Sequence, residues 1–176
     1  MGGGNVGARN TFVEVGKGAG IAVGIFDVGK GAAAVAIAHW LLAVPLLEPH
    51  PLVLLAGIAA VVGHIWSIYL KFTGGNGLAT TIGVLAILMP WELLIVFAIT
   101  IILIAITHNT VLSINISLLS VPLSAWLLEK SGLLVTFSFV LLLLLVLHLL
   151  PTAKAAIVKA ESKESLFAEL LRKDKK

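Results

Sequence analysis

The 176-residue chain has no cysteine, one tyrosine and nine acidic residues, and only 12% of its positions are charged. Without cysteine there can be no disulfide framework, no thiolate nucleophile and no Cys-based metal site. The five histidines, His39, His50, His64, His108 and His148, are not spaced with carboxylates as metal ligands are, so no metal is expected. The net charge of +3 comes mostly from the C-terminal tail, which points to anionic lipid headgroups and gives no reason to invoke nucleic acid. So few charges beside 59% hydrophobic residues and a mean hydropathy of +1.09 rule out an ordinary water-soluble domain, which carries about a quarter charged residues. The chain is expected to be an integral membrane protein.

The apolar residues fall into about six runs of the length a bilayer demands, roughly 20 residues each with some shorter. They lie near Ala19 to Leu47, Pro51 to Phe72, Gly77 to Met89, Trp91 to Thr107, Val111 to Leu128 and Leu133 to Leu150. The third is the shortest. No alternating barrel pattern is present, and an isolated strand leaves its backbone groups unsatisfied in lipid, so each run is read as a helix. The expected fold is all-α, a polytopic transmembrane helix bundle over 1–150, followed by a basic tail over 151–176. In that tail Leu166, Phe167, Leu170 and Leu171 share a stripe, which predicts a short amphipathic helix on the membrane surface.

Basic residues set the orientation. Arg9, Lys17, Lys71 and the tail lysines fall on one side of the alternating loops, and only Lys130 falls on the other. The positive-inside rule then places both termini in the cytoplasm. Polar Gly-rich sequence at the start shows no signal-peptide pattern.

The most informative local feature is Gly74-Gly75-Asn76-Gly77, set between two apolar runs. Three glycines in four residues leave backbone N–H groups uncovered, and such groups face anions well at the start of a helix. Thr80, just beyond, can add a hydroxyl or serve as a cap. Lys71, just before, can hold a phosphate or reach the headgroup layer. A second glycine turn, Gly2 to Asn10, carries Asn5 and Asn10, whose amides both donate and accept, although Asn also suits turns for conformational reasons. Arg9 offers a planar fork for phosphate and equally an anchor at the lipid surface.

Asp27 and Lys30 stand three apart in an otherwise apolar run, so they share a helix face and can pair; structural pairing is favoured over catalysis. His64 lies about two turns from the end of its run at Lys71. It is a candidate general base or substrate hydrogen-bonding group, against the alternative of a packed interior histidine.

Three segments together resemble the acyl-phosphate-dependent glycerol-3-phosphate acyltransferase family: GGGNVGARN followed by Gly16-Lys17, then Asp27-Val28-Gly29-Lys30-Gly31, then Gly63-His64 through Lys71-Phe72 to Gly74-Gly75-Asn76-Gly77-Leu78-Ala79-Thr80. The match runs from Gly2 to about Leu128. The resemblance implies transfer of an acyl group from acyl phosphate to glycerol 3-phosphate at the cytoplasmic face of a bacterial inner membrane, giving lysophosphatidic acid, with no cofactor. It also implies catalytic roles for His64 and Asn5, and phosphate or substrate contacts from Gly4, Gly7, Arg9, Asn10, Lys71, Gly74, Gly75, Asn76, Gly77 and Thr80.

The chain departs from the family pattern where charge matters. Family members carry basic residues where Val13, Thr73 and Asn76 stand, a His-Arg-x-Asn run where this chain reads His148-Leu149-Leu150-Pro151, and a hydrophobic helix ahead of the first motif. The alternative reading is therefore a weakened paralogue that binds lipid or phosphate, or modulates a true acyltransferase. A small transporter ranks last, because no repeat between halves is apparent.

Overall fold

The structure is a computed structural model that describes residues 6–46, 48–129 and 131–159, with only the backbone course given for 151–159. Its helices are α1 (Ala8–Glu14), α2 (Lys17–Leu42), α3 (Pro51–Ile65), α4 (Leu78–Leu88), α5 (Pro90–Thr107), α6 (Thr110–Leu118), α7 (Val121–Leu128) and α8 (Gly132–Lys159), with one 3-10 turn at Ile68–Leu70. Among the described residues there is no strand. Among the described residues five segments are long and apolar enough to cross a membrane, with α6 and α7 together forming one of them; α4, at 11 residues, is too short. The third of the six expected runs, the shortest, is thus a half-length helix.

The outward faces are apolar: Ile25, Phe26, Ile101, Ile106 and Leu123 are all largely exposed. Oily side chains in such a ring are stable against lipid and costly against water. The interior is built from Val35, Val53, Val61, Ile65, Val84, Leu85 and Met89, all at most 1% exposed.

The helix boundaries have local causes. Pro51 and Pro90 occupy first-turn positions, where the missing N–H costs nothing. Asn109 caps α6 by accepting a 3.0 Å hydrogen bond from the Leu112 N–H through Oδ1. The single expected span from Val111 to Leu128 breaks in two because Pro122 has no N–H to give Leu118, and the chain tightens through the i→i+3 bonds Leu119 N to Ile116 O and Ser120 N to Ser117 O.

The expected span from Pro51 to Phe72 also stops early. The carbonyls of His64 and Ile65 accept from the N–H groups of Gly75 (3.2 Å) and Gly74 (3.0 Å), so the glycine loop caps the end of α3. The chain between makes the 3-10 turn and passes through left-handed backbone at Lys71 and Phe72, with φ of 52° and 63°. At the start, Ala8–Glu14 is helical, which corrects the expectation of a glycine turn reaching Asn10: Arg9 and Asn10 sit on a helix.

α2 and α4 make the closest crossing. A Cβ on Gly31 would overlap the Thr80 carbonyl oxygen, and one on Gly83 would overlap the Val28 carbonyl oxygen. Backbone touches backbone here, as small residues permit in membrane helices. This contact fixes where the first turn of α4 lies against the polar stretch of α2.

Candidate active site

The polar stretch of α2 meets the end of α3 in a three-residue cluster. Lys30 Nζ donates to Asp27 Oδ1 at 2.7 Å and also contacts His64 Nδ1. His64 Nδ1 lies 3.3 Å from the same Asp27 oxygen. Asp27 and His64 are each 8% exposed, whereas Lys30 keeps its side chain 43% exposed. A carboxylate at this depth is costly alone, and the ammonium beside it offsets that cost. The sequence pairing of Asp27 with Lys30 did not include His64, which lies 34 residues from Lys30 and reaches it only through the packing of α3 on α2.

Above the cluster opens a cavity of about 660 Å³. Its polar wall holds Arg9, Asn10, Lys17, Asp27, His64 and Asn76, together with the backbone of Gly7 and of Gly77 to Ala79. Its apolar wall holds Phe12, Val13, Leu78, Ile82, Val111 and Ile114. Gly77, in left-handed backbone with φ of 79°, turns the chain into α4, and the first intrahelical bond runs from Thr81 N to Gly77 O at 2.8 Å. The N-terminal turn of α4, the positive end of its dipole, therefore faces this space.

Several residues named from the sequence lie elsewhere. The Gly74 and Gly75 N–H groups bond the α3 carbonyls, so the part of the turn that faces the cavity is 76–79. Thr80 is fully buried against Gly31, and its enclosed hydroxyl has no hydrogen-bond partner among the described residues. Lys71 is exposed at the end of the 3-10 turn and does not line the cavity. Gly4, Asn5, Lys130 and the amphipathic tail lie outside the described residues. Lys17, which the sequence offers as an orientation charge and as part of the Gly16-Lys17 pair, also lines the cavity, beside Arg9.

Two other polar features were not anticipated. Glu92, in the first turn of α5, is fully buried, and neither carboxyl oxygen has a hydrogen-bond partner among the described residues. The start of a helix favours an acid electrostatically, which is the one compensation visible there. His148 meets Trp66 edge-on, with ring centroids 6.2 Å apart and planes at 90°. By contrast, the polar stripe of α6 serves packing: its Ser117 Oγ accepts a 2.9 Å hydrogen bond from Thr100 of α5.

Membrane-crossing helices around a cavity with a helix N-terminus and cations on one wall and apolar side chains on the other define a polytopic membrane protein with a two-sided cavity. Comparison with known proteins narrows this class. Residues 1–157 match the family model described as glycerol-3-phosphate acyltransferase. "Glycerol-3-phosphate acyltransferase 1" of Dehalococcoides mccartyi is 45% identical over 131 residues, covering 72% of this chain and 61% of that protein. "Glycerol-3-phosphate acyltransferase 2" of the same organism is 39% identical over 171 residues, covering 96% of this chain and 79% of that protein. The corresponding protein of Endomicrobium trichonymphae is 34% identical over 167 residues, covering 95% and 81%. The chain belongs to the glycerol-3-phosphate acyltransferase family. The crystal structure of PlsY (YgiH), an integral membrane glycerol 3-phosphate acyltransferase in its lysophosphatidic acid form, shares the fold, with a TM-score of 0.78 at 24% identity over 89% of this chain and 78% of that one.

Proposed function

We propose that the protein transfers an acyl group from acyl phosphate to glycerol 3-phosphate, giving lysophosphatidic acid for phospholipid synthesis. The observation that carries this reading is the two-sided cavity, whose apolar wall suits an acyl chain and whose polar wall suits phosphate. In the reaction, the glycerol hydroxyl oxygen attacks the acyl carbonyl carbon, the carbonyl–phosphate C–O bond breaks, and inorganic phosphate departs while the hydroxyl proton passes to phosphate or solvent. The donor is already activated, so the protein chiefly holds two phosphates in line and stabilises developing charge. Arg9 and Lys17 supply the cations, and the first-turn N–H groups of α4 supply oriented donors. Asn10 and Asn76 complete the polar wall, and the family resemblance supports further substrate contacts from Gly4 and Asn5, which lie outside the described residues.

The test is acyl transfer by the purified protein in detergent or lipid cubic phase, compared with variants that restore the family's charge. Asn76 lines the cavity, whereas Thr73 is exposed outside it. Asn76→Lys is therefore expected to carry most of the gain in kcat/KM, about tenfold for one regained charge-assisted contact, with Thr73→Lys adding little. A parent enzyme that gains nothing from either lysine contradicts the proposed phosphate position. Absence of transfer from acyl phosphate in parent and variants alike overturns the acyltransferase reading in favour of the weakened paralogue.

The family resemblance supports a bacterial inner-membrane location, and the basic-residue asymmetry supports an orientation with both termini, and the cavity, on the cytoplasmic side. A cytoplasm-dependent reporter fused after Lys176 is expected to be active. Activity confined to an extracytoplasmic reporter contradicts that orientation.

A further inference from the structure

We propose that His64 works as a neutral hydrogen-bond donor through Nε2–H, not as a general base, and that Lys30 is the positioning residue that fixes this tautomer. The inference rests on the acyltransfer reading for its substrate and on the cluster geometry for everything else.

An ammonium group has three donors and no acceptor. Lys30 Nζ contacts both Asp27 Oδ1 and His64 Nδ1, so the imidazole must present a lone pair, not a proton, at Nδ1. The Asp27 carboxylate, at 2.7 Å, takes one of the ammonium's three protons. At 3.3 Å from Nδ1, Asp27 lies just beyond the usual hydrogen-bond range of about 2.7 to 3.2 Å, so it is the weaker claimant on that nitrogen. With Nδ1 occupied, the single ring proton of neutral His64 sits on Nε2.

Nε2 has no hydrogen-bond partner among the described residues, yet it is absent from the enclosed, unsatisfied polar atoms, and His64 lines the cavity. It lies beside Gly75, where a Cβ would overlap it. An N–H in this place needs an acceptor from the ligand: an oxygen of a phosphate, or the acyl carbonyl oxygen as it becomes an oxyanion. A donor fixed before the substrate arrives costs no reorganisation during reaction.

The experiment uses the full-length protein with 15N-labelled histidine, the His64 signals being assigned by their loss in His64→Gln. Protonated and lone-pair ring nitrogens resonate far apart, and the expected spectrum shows His64 protonated at Nε2. Lys30→Met should turn Nδ1–H towards Asp27 and shift the proton off Nε2, while Lys30→Arg should keep the parent pattern. In the transfer assay, Gln places an amide N–H near the Nε2 position and cannot take up a proton. His64→Gln should therefore retain roughly a tenth or more of kcat, whereas His64→Ala and His64→Asn should lose ~10²-fold or more. A raised KM for glycerol 3-phosphate alone in His64→Ala places the acceptor on that phosphate, a raised KM for acyl phosphate alone on the donor, and a fall in kcat alone on the oxyanion. An Nδ1-protonated His64 in the parent, an unchanged tautomer in Lys30→Met, or a His64→Gln as inactive as His64→Ala overturns the proposal. If no protein shows transfer, the acyltransferase reading fails while the spectrum still decides the tautomer.

Discussion

Gly75→Ala is expected to lower kcat/KM by ~10²-fold or more while leaving membrane insertion and yield intact. The added methyl has no room: it falls on His64 Nε2 and close to the rest of the imidazole. The ring must leave its place, and with it go the contacts to Lys30 and Asp27 and the donor that faces the cavity. Gly75 also holds the end of α3 through its N–H, a bond that alanine can still make, so the fold should survive. A double-mutant cycle isolates the cause. In a His64→Ala background the space beside position 75 is free, and Gly75→Ala should then cost little further activity. Equal losses in both backgrounds would show that the loop, not the imidazole, is what the methyl disturbs.

Gly31→Val should destabilise the bundle by ~3 kcal/mol and abolish activity, because it forces apart two backbones that cannot yield as side chains do. The first obstacle is the Thr80 carbonyl oxygen, with the Thr80 methyl behind it. Gly29 supplies the control, since it sits two residues away on the same helix and a Cβ there meets nothing within 4 Å. Gly29→Ala should leave the unfolding midpoint in detergent unchanged or slightly raised, as the helix loses a flexible residue. If both variants unfold alike, the α2–α4 crossing is not the tight contact described.

The helices were legible in the sequence because the bilayer imposes a strong and simple signal. Their interruptions were less so. Pro122 announces the break between α6 and α7, but an apolar run on both sides hides it from a hydropathy reading. The early end of α3 depends on Gly74 and Gly75 folding back onto its carbonyls, a contact no periodicity expresses. The same fold-back changes which glycines are left for a ligand. Of the candidate site residues, those on a shared local turn, such as Asn76 and Gly77, do line the cavity, and Gly7, Arg9, Asn10, Asp27 and His64 join them from other helices. Thr80 fails to join because the crossing with α2 turns it inward, and that crossing is set by a glycine some fifty residues earlier in the chain. Glu92 shows the opposite limit. At the start of an apolar run an acid reads as an interfacial residue, and only the packed structure shows it enclosed.

The short α4 has a consequence for the medium in which the ligand is held. α4 has 11 residues and its hairpin partner α5 has 18, a difference of 18 − 11 = 7 residues. At about 1.5 Å per residue this leaves the Gly77 end of α4 roughly 10 Å short of the level that α5 reaches. Where α5 spans the bilayer, the anion-facing turn should thus lie below the headgroup plane, at the bottom of a shaft with lipid on its outer side. Mobile salt ions screen charges at an open surface within about 8 to 10 Å, but they enter such a shaft poorly. Attraction between the sunken turn and a phosphate should therefore persist at ionic strengths that suppress the pull of the tail's basic sequence, so that salt slows delivery of the substrate from solution more than it loosens the substrate once seated.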